Sequence, residues 1–231
     1  MYCLFDRDHL RYERKFVISA LSKYEVESIV KLHPAIFSEI YYERTVNNLY
    51  FDSTGMTNYS DNVVGNSQRL KVRIRWYGDL FGIVEKPVLE IKLKTGYLGS
   101  KISYPLDSFT ISREFSIDTI SQIFKNSSHI PVIIKQDLIR LSFSLLNNYR
   151  RKYFVSANRK FRITIDSSMQ FFEISPLNNT FLHKSVDYIS TILELKYDAE
   201  QDDYAENITK HFPFRMTKSS KYVTGVERIN P

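Results

Sequence analysis

The chain has 231 residues, of which 43% are hydrophobic and 25% are charged, which is the composition of an ordinary globular protein. Its formal net charge of +6 favours an anionic partner, although charge alone does not choose between nucleic acid, a membrane surface and small phosphates. The single cysteine, Cys3, excludes an intramolecular disulfide and a cysteine-rich zinc site. The first residues lack the pattern of a signal peptide, and no apolar run approaches the roughly 20 residues that cross a bilayer. We therefore expect a cytoplasmic protein without a membrane segment.

The first third of the chain predicts strands around one short helix. Alternating residues predict a strand over 11–19, and a capping box formed by Ser22 and Glu25 begins a helix that Pro34 ends. The next elements are predicted as a strand at 45–51, a turn at 52–55 and a loop or short helix at 59–67.

The centre of the chain changes from strands to helices and back again. Strands are predicted at 69–77, 88–95 and 101–105, with a turn at 96–99. Apolar residues at helical spacing, from Ile117 to Phe124 and from Leu138 to Leu146, then predict a helical insert over about 115–148, which Pro131 divides. The remaining elements are predicted as strands at 149–157, 160–166 and 191–197, a helix at 202–212 and a closing segment at 219–228.

Four segments carry charges on every second residue, with apolar residues between them. They lie at 70–76, 89–94, 161–166 and 193–197. One such strand is explained by a solvated outer face, but four of them, mostly cationic, indicate a sheet that closes on itself with the charges inside. A cationic interior favours an anionic guest, and phosphate is the obvious one. The predicted fold is α+β, a closed antiparallel β-barrel with helices packed outside, in a single domain over 1–231.

Basic residues on the polar strand faces are the first candidates for phosphate binding. Arg73 and Arg75 share one strand face, where each guanidinium can hold phosphate oxygens in a bidentate way, although a solvated face explains the same pair. A buried glutamate among many cations, as Glu90 or Glu194 would be, fits a divalent metal, because Mg²⁺ and Mn²⁺ prefer oxygen ligands. A surface ion pair between strands is the alternative for either glutamate. The five histidines show no ligand spacing.

Several motifs occur along the chain in the order of a known family. They are Glu13-Arg-Lys-Phe16, Tyr50-Phe-Asp52, Arg73-Ile-Arg-Trp-Tyr-Gly78, Glu90-Ile-Lys92, Lys101, Arg162-Ile-Thr-Ile-Asp166, Leu193-Glu-Leu-Lys196 and Lys218-Ser-Ser-Lys-Tyr222. With these motifs the chain resembles, over about 11–229, the VTC domain, the polyphosphate polymerase domain of vacuolar transporter chaperones and of bacterial single-domain relatives. That domain is grouped with the CYTH-like triphosphate tunnel enzymes.

The resemblance implies a closed β-barrel whose tunnel binds a triphosphate or polyphosphate with the help of Mn²⁺ or Mg²⁺. Polymerase members of the family move the γ-phosphate of ATP onto a growing phosphate chain and release ADP. By correspondence, the metal ligand would be Glu194, and the catalytic residues would be Arg73, Arg75, Lys92 and Arg162. The phosphate-binding residues would be Lys15, Arg73, Arg75, Lys92, Lys101, Arg151, Arg162, Lys218 and Lys221.

Two other functions remain open at this point. A triphosphatase, acting on inorganic or nucleoside triphosphate, would use the same tunnel with water as the acceptor. A non-catalytic polyphosphate-binding module would use the same cations without turnover. The expected partners are therefore ATP and inorganic polyphosphate or triphosphate, while protein partners stay unknown. Nucleic acid is not expected, because the cations alternate within strands and do not cluster on a helix.

Overall fold

The computed structural model describes residues 11–96 and 98–230. Its strands are β1 (Arg11–Ile18), β2 (Ser38–Asp52), β3 (Gln68–Tyr77), β4 (Gly82–Val84), β5 (Val88–Thr95), β6 (Leu98–Pro105), β7 (Phe109–Ile111), β8 (Ser142–Val155), β9 (Arg162–Phe172), β10 (Lys184–Asp187) and β11 (Thr191–Asp198). Its helices are α1 (Lys23–Lys31), α2 (Thr57–Val64), α3 (Ile117–Asn126), α4 (Val132–Leu138), α5 (Asp202–Thr209) and α6 (Lys221–Ile229). No described helix is both long enough and apolar enough to cross a membrane.

Eight of the strands form a closed antiparallel ring. Their hydrogen-bonded order is β9-β11-β1-β6-β5-β3-β2-β8, and β8 pairs again with β9, so that the two ends of the sheet meet. The contact between β1 and β6 is the shortest, with Arg11 opposite Gly99. Farther along β1, Thr217 donates its backbone N–H to the Lys15 carbonyl at 2.8 Å and accepts from the Val17 N–H at 3.0 Å. The segment before α6 thus continues the seam where β6 has diverged.

The apolar faces of the ring strands point outward, against the helices. In β3, Val72, Ile74 and Trp76 are buried in one cluster with side chains of α3 and α4. On the other side of the ring, Phe16 of β1 and Leu193 of β11 are buried in a second cluster with α1 and α5. Burial of each such side chain stabilises the fold by roughly 1.5–3 kcal/mol. Because side chains alternate along a strand, this packing leaves the charged residues inside the ring.

Helix α6 packs against the inner apolar residues at one part of the ring. Tyr222, Val226 and Ile229 belong to a buried cluster with side chains of β2, β8, β9 and β11. The close approach requires Gly225, because a Cβ there would overlap Leu145 and would lie 2.6 Å from Cδ1 of Phe171. The hydroxyl of Tyr222 donates to Asp52 at 2.6 Å, which fixes the helix against the end of β2.

The predicted helical insert was partly wrong. Helices α3 and α4 are present and Pro131 stands between them, but Leu145 and Leu146 lie in β8 instead of a helix. Both leucines are fully buried, one on each face of the strand, so the apolar run does not alternate and imitates helical spacing. The prediction also missed the strands β4, β7 and β10 and the first half of β2. Tyr97, within the predicted turn, and residues 1–10 lie outside the described residues.

Candidate anion-binding cavity

The inward-facing residues of the ring enclose a cavity of about 460 Å³. Its walls carry ten basic and three acidic side chains, an excess of seven positive charges. The charged residues are Arg11, Glu13, Lys15, Lys71, Arg73, Arg75, Glu90, Lys92, Lys101, Arg151, Glu194, Lys196 and Lys221. Such an excess, gathered within a space of this size, creates a strong positive potential, which anions from solution can neutralise.

Like charges even stand directly opposite each other on neighbouring strands. Arg69 faces Lys94, and Lys71 faces Lys92, between β3 and β5, and Lys92 also faces Lys101 between β5 and β6. Pairs of like charge in this position destabilise a sheet. The repulsion between these cations therefore lowers the stability of the protein, and a bound anion would reduce that repulsion.

Glu90 organises the basic residues on the β3 side of the cavity. Its Oε2 accepts from Arg73 Nε at 2.8 Å and Nη2 at 2.6 Å, and its Oε1 accepts from Lys101 Nζ at 2.7 Å. Arg75 lies 3.7 Å from the same carboxylate and donates to Asn48 at 2.9 Å. Burial alone would raise the pKa of Glu90, but the three cations outweigh it and hold this pKa far below its usual range. Glu90 is thus ionised and fixes both guanidiniums in the cavity wall.

A second group surrounds Glu194 at the more buried side of the cavity. Its carboxylate lies 3.0 Å from Lys196, 3.2 Å from Lys221 and 3.4 Å from Lys15. Burial would raise the pKa of Glu194, but these lysines hold it well below its usual value. Asp166 also belongs to this group, because it pairs with Lys221 and with Arg151 at 2.5 Å each. Side-chain exposure along the wall falls from 49% at Lys101 to 8% at Lys221, so the cavity has an exposed and a buried side.

Lys71 differs from the other cavity cations in its partner. Its Nζ donates to the Ser220 hydroxyl at 2.7 Å, and it has no carboxylate within 4 Å in the part of the chain that the structure describes. Burial, followed by repulsion from Lys15, Lys92 and Arg73, lowers the pKa of Lys71 well below its usual value. A negative charge that enters the cavity therefore stabilises the charged form of Lys71.

A family model of the VTC domain matches residues 10–230. The chain belongs to the VTC domain family. This confirms the resemblance seen in the sequence motifs, although no curated protein matches this VTC domain significantly.

Two solved structures have a similar fold to this VTC domain. The PH1819 protein from Pyrococcus horikoshii OT3 has a TM-score of 0.56 at 12% identity, and the match covers 94% of this chain and 99% of that one. A proposed adenylate cyclase from Vibrio parahaemolyticus has a TM-score of 0.50 at 12% identity, covering 91% of this chain and 95% of that one. At such low identity these matches show a shared fold, extending over nearly the whole of both chains.

Most of the predicted site residues of the VTC domain line the cavity. They are Lys15, Arg73, Arg75, Lys92, Lys101, Arg151, Glu194 and Lys221. The structure does not bring Arg162 and Lys218 to the cavity wall. Arg162 is exposed as the first residue of β9, although it shares the inward face with Asp166, and Lys218 is exposed in the segment before α6.

The sequence interpretation missed several residues of the cavity. Lys71 and Lys196 lie two positions from predicted residues on the same strand, so the alternation that identified Arg73 and Glu194 could also have found them. The same alternation places Tyr149 two positions from Arg151 and Asp166 four positions from Arg162, but it does not show which side chains they contact. Their role depends on Arg151, which Asp166 pairs with and whose guanidinium lies 5.1 Å from the Tyr149 ring centre.

A divalent cation fits this cavity in one way. No three His, Cys, Asp or Glu side chains come together as a metal-binding group among residues 11–96 and 98–230. Glu194 offers ionised oxygens, and the buried hydroxyl of Thr164, directly opposite it on β9, has no hydrogen-bond partner among the described residues. Mg²⁺ and Mn²⁺ commonly use one or two carboxylates together with substrate phosphates. The donors therefore fit a cation that arrives with phosphate ligands, and not an all-protein site.

Proposed function

We propose that this VTC domain is a metal-dependent polyphosphate polymerase, which transfers the γ-phosphate of ATP to a growing chain of inorganic polyphosphate. The observation that carries the proposal is the excess of seven positive charges inside the ring. A triphosphate and a polyphosphate both bear several negative charges in a narrow, flexible chain, which suits a basic tunnel better than a surface patch. Membership of the VTC domain family supports the same reaction class.

The arginines would position the phosphoryl group that is transferred. Arg73 and Arg75 each present a planar fork of donors, which can bind phosphate oxygens in pairs. Glu90 holds the Arg73 guanidinium by two hydrogen bonds, so little reorganisation is needed when the phosphate arrives. Phosphoryl transfer depends mainly on positioning and on neutralisation of charge, and this wall supplies both.

The reaction itself needs no protein base. A terminal oxygen of the acceptor polyphosphate attacks the γ-phosphorus of ATP, the bond between the γ-phosphorus and the bridging oxygen breaks, and the electron pair leaves with ADP. The acceptor is already an oxyanion, so no proton has to be removed. Lys15, Lys92 and Lys221 would hold the acceptor and donor phosphates close together against their mutual repulsion.

Glu194 would bind the metal in this proposal. When it is bound together with substrate phosphates, Mn²⁺ or Mg²⁺ would supply further neutralisation of phosphate charge. Lys196 and Lys15 hold the Glu194 carboxylate at the cavity wall in the meantime, with its charge retained. Arg151 restrains the same group, because it lies 3.7 Å from Glu194 while it pairs with Asp166.

An arginine substitution tests the proposal. Arg75→Ala should abolish ADP release and polymer formation while the fold is retained, because the change removes a phosphate fork without removing an outward core residue. Arg150→Ala is the matched control, since Arg150 is an exposed arginine that pairs with Glu43 outside the cavity. Unchanged turnover in Arg75→Ala would contradict the assignment. In the wild-type protein, release of orthophosphate without polymer would establish a triphosphatase, and tight polyphosphate binding without turnover would establish a binding module.

A further inference from the structure

A cluster of three tyrosines surrounds an exposed arginine beyond the cavity wall. The guanidinium carbon of Arg44 lies 4.4 Å from the ring centre of Tyr41, 5.6 Å from that of Tyr77 and 5.9 Å from that of Tyr153. Tyr41 and Tyr153 meet edge to face at 5.6 Å, and the Tyr153 hydroxyl donates to that of Tyr77 at 3.5 Å. Tyr41 and Tyr77 are each 49% exposed, so the cluster offers aromatic surface to solvent.

Arg44 has a different environment from the arginines of the cavity. Arg73, Arg75 and Arg151 all lie within 4 Å of a carboxylate, whereas Arg44 has no such partner among the residues that the structure describes. Its guanidinium lies instead over the faces of the tyrosine rings. A guanidinium held in this way presents a flat, weakly hydrated surface, and planar groups stack on such a surface.

The cluster is continuous with the cavity. Arg44 stands directly opposite Arg151 in the pairing of β2 with β8. The guanidinium of Arg151 lies 5.9 Å from the ring centre of Tyr153 and 5.1 Å from that of Tyr149, which lines the cavity. Arg151 therefore contacts both the cavity and the tyrosine cluster. A ligand with an anionic part in the cavity could extend another part onto the tyrosines.

We infer that Tyr41, Arg44, Tyr77 and Tyr153 form a stacking site for the nucleobase of a nucleoside triphosphate whose phosphates occupy the cavity. The inference rests on the proposed function and deepens it, since it makes a nucleotide, and not inorganic triphosphate, the preferred phosphate donor. Phosphate chains have no planar face and would gain little from the tyrosines. Stacking tolerates every base, because each base has a π-face, so the site should favour nucleotides over inorganic triphosphate with little preference among bases.

Calorimetric titration with ATP and with inorganic tripolyphosphate, without metal, tests the inference. Tyr41→Ala removes an exposed ring without changing charge, and Arg44→Lys keeps the charge while removing the planar group. Both variants should weaken ATP binding by about tenfold, as expected for the loss of one stacking contact, while tripolyphosphate binds as to the wild type. Arg150→Ala, on the outer face of the same strand pair, should change neither affinity. Circular dichroism confirms that each variant is folded.

The outcomes separate the inference from the proposed function. Equal weakening of ATP and tripolyphosphate would overturn the inference, because it would show a contribution from charge or fold alone. Unchanged ATP affinity in both variants would overturn it as well. If the wild type bound tripolyphosphate but the substitutions in the tyrosine cluster did not change the affinity for ATP, the stacking site would be refuted while phosphate binding in the cavity would be retained. If the wild type bound neither ligand, the inference would be refuted, whereas the proposed function, which requires a divalent metal, would be decided by the assay of turnover with Mn²⁺ or Mg²⁺.

Discussion

Glu90→Gln should make the protein less stable and at the same time a better anion binder. Glu90 is the one carboxylate within 4 Å of Arg73, Arg75 and Lys101 among the described residues, and its side chain is 7% exposed. Removing one partner of a buried ion pair costs about 3–5 kcal/mol. Because Lys101 is half exposed, we expect the lower value, about 3 kcal/mol, which corresponds to a melting temperature lower by about 6–12 °C in a chain of this size.

Tripolyphosphate should reverse most of this loss. The substitution raises the excess positive charge of the cavity from seven to eight, so the anion should bind the variant more tightly than the wild type. A ligand at a hundred times its Kd stabilises a protein by about 2.7 kcal/mol, which is close to the expected loss. Thermal unfolding with increasing tripolyphosphate measures both effects in one experiment.

Glu43→Gln provides the control for this prediction. Glu43 also pairs with two cations, Lys23 at 2.7 Å and Arg150 at 3.3 Å, but outside the cavity. Its substitution should cost less, and tripolyphosphate should stabilise it no more than the wild type. Glu90 would not have this role if Glu90→Gln were as stable as the wild type without the anion, or if the anion stabilised Glu90→Gln and the wild type equally.

Three further results are expected. Gly225→Ala should lower the free energy of unfolding by about 1–2 kcal/mol, because overpacking against Leu145 and Phe171 outweighs the better helix propensity of alanine. Gly55→Ala is the control and should not lower the free energy of unfolding, since there is open space around Gly55. Binding of tripolyphosphate in alkaline buffer below pH 10.5 should be accompanied by proton uptake, since the anion raises the lowered pKa of Lys71. Calorimetry in buffers of different ionisation enthalpy measures the number of protons taken up, and proton release would contradict the prediction. Lys71→Met should weaken tripolyphosphate binding at least fivefold in the same titration, and an unchanged Kd would exclude Lys71 from the site.

The ring and most of its inner face could be predicted because alternation is a local signal. In β3 the sequence alternates between apolar residues and Lys71, Arg73 and Arg75. Because successive side chains of a strand point to opposite faces, the apolar residues share one face and the basic residues share the other. Closure was predicted from four mostly cationic strand faces, which would line the interior of a closed sheet, and the pairing of β8 with β9 agrees with it. The same reasoning placed Glu194 beside the lysines.

Other features depend on contacts that are distant in sequence. The strand β8 is buried on both faces at Leu145 and Leu146, since α6 packs on its inner side, and this burial removes the alternation that identifies a strand. Asp166 of β9 pairs with Lys221 at the start of α6, a contact between residues far apart in sequence that no local spacing indicates. The tyrosines around Arg44 come from three strands, so their meeting also depends on the register of the sheet.

The fate of the γ-phosphate of ATP distinguishes a polymerase from a triphosphatase. The purified protein is incubated with γ-labelled ATP and Mn²⁺ or Mg²⁺, and ADP, free orthophosphate and acid-stable polymer are measured together. For a polymerase we expect about one labelled phosphate in a ladder of polyphosphate for each ADP released, because the phosphoryl group passes from ATP to another phosphate. Release of the label as orthophosphate, with no polymer at any time, would contradict the polymerase and leave hydrolysis as the reaction of this cavity.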